Sequence, residues 1–335
     1  MKKVLNGLLT GVLCVGMTFG ALACKDTDEE VSIYMPDGAP ALSMAMLMSE
    51  DTADDGVTYH VVKGTAVKES VTGETPKADV CVLPLNLASK LLGSGNTYQM
   101  LGTVTHGNLY LLSTDTSTVY ESTSSLSSLI GKKVGVIEIA SIPGLTLKTV
   151  LNDADVAWQV MSVENAYDEQ KVNLVPISDP ATGISPAGGC DLYLAAEPLV
   201  NAKTTNTSLA LVGDVQKLYG GEDGFPQAVI VAKNSLIESR EKWVNDFIGD
   251  LSSSIENLST AEPSDVAAAV AAHLPEGTTP TFTAANLTAD VISRCSIRFE
   301  SAALCKADVN AFIQKLTLVD STAVSVLADK FFYNV

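Results

Sequence analysis

The chain of 335 residues carries 39 acidic side chains against 21 basic ones, a formal charge of −18. That balance supplies no basic face for a phosphate backbone, so nucleic acid is not an expected partner. The length suits two packed lobes better than one.

Lys2 and Lys3 precede an apolar run over 4–19, and Gly20-Ala21-Leu22-Ala23 leads into Cys24. This is the layout of a secretory signal, so residues 1–23 read as an address rather than as part of the fold. Gly7, Gly11 and Gly16 argue against a spanning helix. Ala21-Leu22-Ala23-Cys24 resembles the lipobox of bacterial lipoproteins, which implies cleavage before Cys24 and lipidation of its sulfur. Ala21 and Leu22 stand in the reverse of the usual order, leaving ordinary secretion or a retained anchor as alternatives. Residues 24–30, with Asp26, Asp28, Glu29 and Glu30, read as a solvated tether. Of the remaining cysteines, Cys81 and Cys190 sit in apolar runs and read as small buried residues. Cys295 and Cys305 either bridge or stay as two thiols.

From residue 31 onward, short apolar runs alternate with helical patterns. Strands are predicted at 31–35, 57–62, 78–83, 108–113, 133–137, 172–175, 190–195 and 228–231. Helices are predicted at 39–49, 85–92 and 143–152, each opening just after a strand. This alternation predicts an α/β architecture with largely parallel sheets. Beyond residue 234 the pattern turns mainly helical, over 235–258, 263–273, 287–294 and 307–316, and is expected to pack on the first lobe. The Ser/Thr run at 113–128 reads as a surface loop. Glycine-rich stretches at 102–107 and 220–227 read as lobe crossings. They divide the chain into a first lobe of 31–107 and 226–335 and an inserted second lobe of 108–225.

Several stretches resemble the type 2 periplasmic-binding fold, in the branch serving thiamine precursors, taurine, aliphatic sulfonates and similar small organics. They are Tyr34-Met35-Pro36-Asp37-Gly38-Ala39-Pro40-Ala41, Ala78-Asp79-Val80-Cys81-Val82-Leu83-Pro84, Gly131-Lys132-Lys133-Val134-Gly135-Val136, Cys190-Asp191-Leu192-Tyr193-Leu194-Ala195-Ala196-Glu197-Pro198 and Phe225-Pro226-Gln227-Ala228. The segment from Leu287 to Phe299 is similar to the C-terminal part of clostridial-type lipoproteins in this group, with Ser296 where those favour Asn. The resemblance implies a two-lobed, monomeric substrate-binding protein, lipid-anchored at the outer face of the cytoplasmic membrane. It would close on a small organic solute and pass it to an ABC permease and its ATPase.

The resemblance also places ligand contacts at the turns after the strands: Pro84, Leu85 and Asn86 in one lobe, Glu197 in the other. The residues themselves offer two helix starts, at Asp37-Gly38-Ala39 and at Ser141-Ile142-Pro143, whose N–H groups favour a polar or anionic group. Ordinary capping by Asp37, Ser141 and Asn86, and a hinge-bracing role for Glu197, are the alternatives. Thr103, Thr105 and Gln227 flank the crossings. Asp37, Glu138 and Glu197 give the cleft an acidic mouth, which favours a nitrogen heterocycle or amine over a sulfonate. Arg294 and Arg298 could reverse that sign, although structural ion pairs are the commoner use of such residues. Tyr34, Tyr110 and Phe225 are the aromatic residues able to cage a ring.

No catalytic or metal motif is present: His60, His106 and His273 are isolated, and neither H-E-x-x-H nor G-x-S-x-G occurs. The chain therefore reads as a non-enzyme without a cofactor. A lipid-anchored solute sensor and an enzyme of the same fold acting on a pyrimidine or menaquinone precursor are the alternatives.

Overall fold

The computed structural model describes residues 30–50 and 56–334. The expected signal peptide, Cys24 and most of the expected tether lie outside them.

The first stretch of chain contains β1 (Val31–Pro36), α1 (Ala39–Leu42), α2 (Ala45–Ser49), β2 (Val57–Val62), α3 (Val67–Val71), β3 (Val80–Pro84), α4 (Leu85–Leu92) and β4 (Tyr98–Thr105). The second contains β5 (Leu109–Ser113), β6 (Lys133–Ile137), α5 (Ile142–Asp153), β7 (Trp158–Val160), β8 (Val172–Ile177), α6 (Pro180–Gly183), β9 (Leu192–Ala196), α7 (Leu199–Asn206), β10 (Ala210–Asp214) and α8 (Val215–Gly220). The third contains β11 (Ala228–Lys233), α9 (Asn234–Ser239), α10 (Glu241–Leu258), α11 (Pro263–Ala272), α12 (Ala289–Arg294), β12 (Ile297–Ser301) and α13 (Ala302–Val319).

These strands form two sheets of six, ordered β12-β4-β11-β3-β1-β2 and β10-β5-β9-β6-β8-β7. The chain leaves the first sheet after Thr105 and re-enters it at Ala228. Within each sheet the β1, β2 and β3 set and the β6, β7, β8 and β9 set run parallel. β3, β5 and β11 are buried almost throughout, as expected of strands covered on both faces. Aspartates just before β3 and β9 tie those strand starts to their neighbours. Asp79 accepts from Ser32 N at 3.0 Å and pairs with Lys233 at 2.9 Å. Asp191 accepts from Lys133 N at 2.7 Å.

Four strands carry no clear alternating or apolar signal in the sequence. β7 has only three residues, and β12 is an edge strand with Arg298 and Glu300 in it. β10 and β4 contain glycines, and Gly102 in β4 lets β12 approach: a Cβ there would lie 2.3 Å from the Glu300 carbonyl. The helix expected over 39–49 breaks at Ser43–Met44 into α1 and α2.

The tail lies on the first lobe through α10, whose Val244, Phe247, Leu251 and Ile255 share one buried core with Met44, Ala45 and Met48 around α2. α13 reaches further. Phe312, fully buried, has its ring centroid 5.5 Å from that of Phe225 and 5.2 Å from that of Tyr219. Lys315 Nζ donates to Asp153 at the end of α5 at 2.6 Å. One apolar core therefore runs from Leu83 and Leu85, through Phe225 and Phe312, to Leu145 and Leu147. Phe312→Ala, which opens a cavity where both lobes meet, is expected to cost about 3–5 kcal/mol in urea unfolding. A loss below 1 kcal/mol would show that the lobes do not share this core.

Candidate solute site at the lobe crossing

Register brings the expected residues of the first lobe onto one edge. Ala228 pairs with Pro84 on one side and with Thr105 on the other. Leu85 N donates to Gln227 O, and Gln227 N donates to Thr105 O, both at 2.9 Å. Tyr34 pairs with Cys81, so Asp37, three residues on, comes level with Pro84. Asp37, Asn86, Thr105 and Gln227 thus converge from four elements on one end of the first sheet.

The second sheet presents its corresponding edge at the same crossing. Leu109 pairs with Ala196, and Val136 with Leu194, which puts Glu138 and Glu197 beside the point where the chain enters β5. Ser141 opens α5 just beyond. The crossing segments bind the two edges together: Phe225 N donates to His106 O at 3.2 Å, and Gln227 Nε2 to Asn108 Oδ1 at 3.0 Å. Two glycines permit this approach. Gly107 holds φ +107° with Gln216 and Phe225 against it, and at Gly224, φ +64°, a Cβ would fall 2.2 Å from His106 O.

Among the described residues, the buried side-chain polar atoms without a hydrogen-bond partner are Asp37 Oδ1, Asn86 Oδ1, Thr105 Oγ1, Gln227 Oε1, His106 Nδ1 and Thr146 Oγ1. An unsatisfied buried polar group costs roughly 1–3 kcal/mol, so a folded protein keeps few of them away from places of use. Here four of the six belong to residues that the sequence singles out, and they share one edge.

Capping does not account for these side chains. α1 has Gly38 at its N-cap with no side-chain bond to it, and α4 has Pro84. Ser141 is the N-cap of α5, yet its hydroxyl makes no capping bond. Asp37 turns one oxygen instead to the distant Thr281, accepting from its N at 2.7 Å and from its Oγ1 at 2.8 Å. Gly38, at φ +120°, supplies the turn from β1 into α1. The expectation of two facing helix starts also changes, because α1 has only four residues and sums little dipole. Leu85, Ala39, Ile142 and Pro143 are buried and line the two turns with apolar surface.

Glu197 takes the bracing role. Its carboxylate, buried at the end of β9, accepts from Asn201 N at 3.1 Å and from Arg294 Nε of α12. Tyr110 Oη donates to the Arg294 carbonyl at 2.9 Å. Arg298 donates to Glu300 at 2.7 Å and to the Asp223 carbonyl at 2.9 Å. Both arginines are therefore structural partners, and α12 is tied across to the second lobe.

None of the three aromatic candidates stands free as a ring platform. Tyr34 stacks on His60 with centroids 4.3 Å apart, Tyr110 is engaged with Arg294, and Phe225 lies in the shared core. His106 bonds Thr103 Oγ1 through Nε2 at 3.0 Å, and burial, with help from Arg298, pulls its pKa down to about 3, so it is neutral at physiological pH. Cys295 and Cys305 are both free and buried. Burial pushes the Cys305 thiol up to about 11 and the Cys81 thiol to about 12, which keeps both protonated and unreactive. Thr146, one turn into α5, and Thr281 escape sequence reasoning because neither stands at a strand end or in a turn motif. No group of three potential metal ligands, and no helix long and apolar enough to cross a membrane, occurs among the described residues.

No family model and no curated protein matches the chain. Solved structures do. An ABC transporter protein from Parabacteroides distasonis superposes with a TM-score of 0.66 at 19% identity, over 91% of this chain and 98% of that one. The periplasmic aliphatic sulphonate binding protein from Escherichia coli gives 0.63 at 13% identity, over 91% and 92%. A putative sulfonate ABC transporter periplasmic protein from Methylobacillus flagellatus gives 0.57 at 10%, over 91% and 92%. The architecture is that of the two-lobed, type 2 substrate-binding proteins of ABC importers.

Arg294→Met leaves the buried Glu197 charge without its partner and is expected to destabilise the protein by roughly 3 kcal/mol. Adding Glu197→Gln should recover part of that loss. If the double variant unfolds no later than the single one in urea, the pair is not coupled.

Proposed function

We propose that this chain is an extracytoplasmic substrate-binding lipoprotein that captures a small organic solute between its lobes and delivers it to an ABC permease. The observation that carries this reading is the set of orphaned oxygens on Asp37, Asn86, Thr105 and Gln227, gathered at the edge where the two sheets meet. A solute held there would satisfy them and be enclosed when the lobes close, and the closed form is what a permease recognises. We take the lobes as 31–107 with 226–335, and 108–225. Pro84, Leu85, Ile142 and Pro143 would supply the apolar walls, Gly38, Ala39 and Ser141 backbone and hydroxyl contacts, and Glu197 the brace. A nitrogen heterocycle, an amine or a sulfonate is the solute class this reading admits, and Cys24 the lipid attachment.

The test is a thermal-shift panel on the chain from Lys25 onward, with pyrimidines, polyamines, amino acids, taurine and alkyl sulfonates. A ligand at one hundred times its Kd stabilises by about 2.7 kcal/mol, a rise of several degrees. Asn86→Ala should weaken the binding compound about tenfold, the value of one good hydrogen bond, while apo melting stays unchanged or rises slightly because an unpaired acceptor is gone. Equal losses of binding and apo stability would assign Asn86 to structure instead. Lipidation is read separately: radiolabelled palmitate should enter the wild type and not Cys24→Ser, and equal labelling of both would remove the anchor from the proposal.

A further inference from the structure

The chemistry of the orphaned atoms selects among these solutes, granted the capture reading. Asp37 Oδ1, Asn86 Oδ1 and Gln227 Oε1 are acceptors only, and Thr105 Oγ1 can accept as well as donate. In this arrangement Gln227 Nε2 donates to Asn108 Oδ1 and Oε1 is left free. Each of these orphaned oxygens can be completed by a hydrogen from the solute, and Asp37 Oδ1 only so.

Charge points the same way. Asp37 Oδ2 is held by two neutral donors, Thr281 N and Oγ1, and Asp37 has no ion pair among the described residues. Glu138 sits exposed at the end of β6, held at φ +44°, on the facing edge. The nearby cations are already used. Arg294 is taken by Glu197, and Arg298 by Glu300 and the Asp223 carbonyl. Lys148 of α5 donates to Ile139 O at 2.9 Å with its ammonium over the Trp158 ring. A sulfonate would meet unpaired acceptors and uncompensated carboxylates, an arrangement that repels it. Size and shape add a further limit: Tyr110 and Phe225 are buried and Tyr34 is stacked on His60, so none of the three presents an open face for a flat ring.

We propose that the solute is a compact cationic nitrogen compound, an alkylammonium, amidinium or guanidinium, whose N–H groups are taken by Asp37, Asn86, Thr105 and Gln227. Asp37 supplies the counter-charge and the neutral oxygens count the hydrogens. Selection against anions comes from the same atoms, because a buried acceptor left facing an anion is unpaired as well as repelled.

Isothermal titration calorimetry of the chain from Lys25 onward with charge-inverted pairs tests this: butylammonium against butanesulfonate, acetamidinium against acetate, and agmatine and putrescine against the matching disulfonates. At least one cation is expected to bind at least tenfold more tightly than its anionic partner. Asp37→Asn, which keeps an acceptor for Thr281, should weaken that cation at least tenfold with apo melting preserved, and Asn86→Asp should tighten it. Binding of a sulfonate in preference to every cation would overturn the charge assignment and leave solute capture standing. Cation binding that survives Asp37→Asn unchanged would place the cation elsewhere and overturn the assignment too. Silence from both members of every pair would sink the inference and count against capture itself.

Discussion

Two short crossing segments lie side by side, and everything else in this protein is arranged around their contact. Thr105 to Asn108 leaves the first sheet while Gly224 to Gln227 returns to it, and backbone bonds from Phe225 to His106 and from Gln227 to Thr105 hold them together. Neither strand could come so close with a side chain at Gly107 or Gly224. Because both crossings occur at strand ends, the ends of the two sheets are forced to face each other. The turns that follow the strands therefore stand at the boundary between the lobes.

This geometry separates two uses of polarity. Glu197 and Arg294 satisfy one another at the boundary between α12 and the second lobe, and Asp79 and Asp191 satisfy strand starts at the far ends. Those groups stabilise the fold. Asp37, Asn86, Thr105 and Gln227 instead hold buried oxygens with no partner, an arrangement that costs stability and that folded proteins tolerate where something else completes it. The difference between a brace and a site is therefore visible as a difference in hydrogen-bond completion, although both kinds of residue stand at equivalent turns.

The tail controls how the lobes are joined. Besides the crossings, α13 carries Phe312 into a core shared by both sheets, and Arg294 reaches from α12 to the second lobe. Any movement of one lobe against the other would have to break these contacts as well as those of the crossing. Ser296 stands in this region with φ +48°, a left-handed backbone that Asn tolerates better than Ser. Its carbonyl accepts from His106 N at 2.9 Å, so the strained residue also touches the lobe crossing.

Strand and helix periodicity were enough to read β1, β2, β3, β5, β6, β8, β9 and β11, the helices α4 and α5, and the turns after the strands where Asp37, Asn86 and Glu197 stand. These are local properties: apolar runs, Pro near a helix start and Gly at a crossing act within a few residues of themselves. β4 and β12 were illegible because glycine and charge in a strand make sense only once the partner strand is known. Which turn residue braces and which is left unpaired was likewise beyond the sequence. Thr281 is 244 residues from Asp37, and Arg294 is 97 from Glu197. Hydrogen-bond completion depends on partners that only the folded chain brings within 3 Å or so, and local composition holds no record of them.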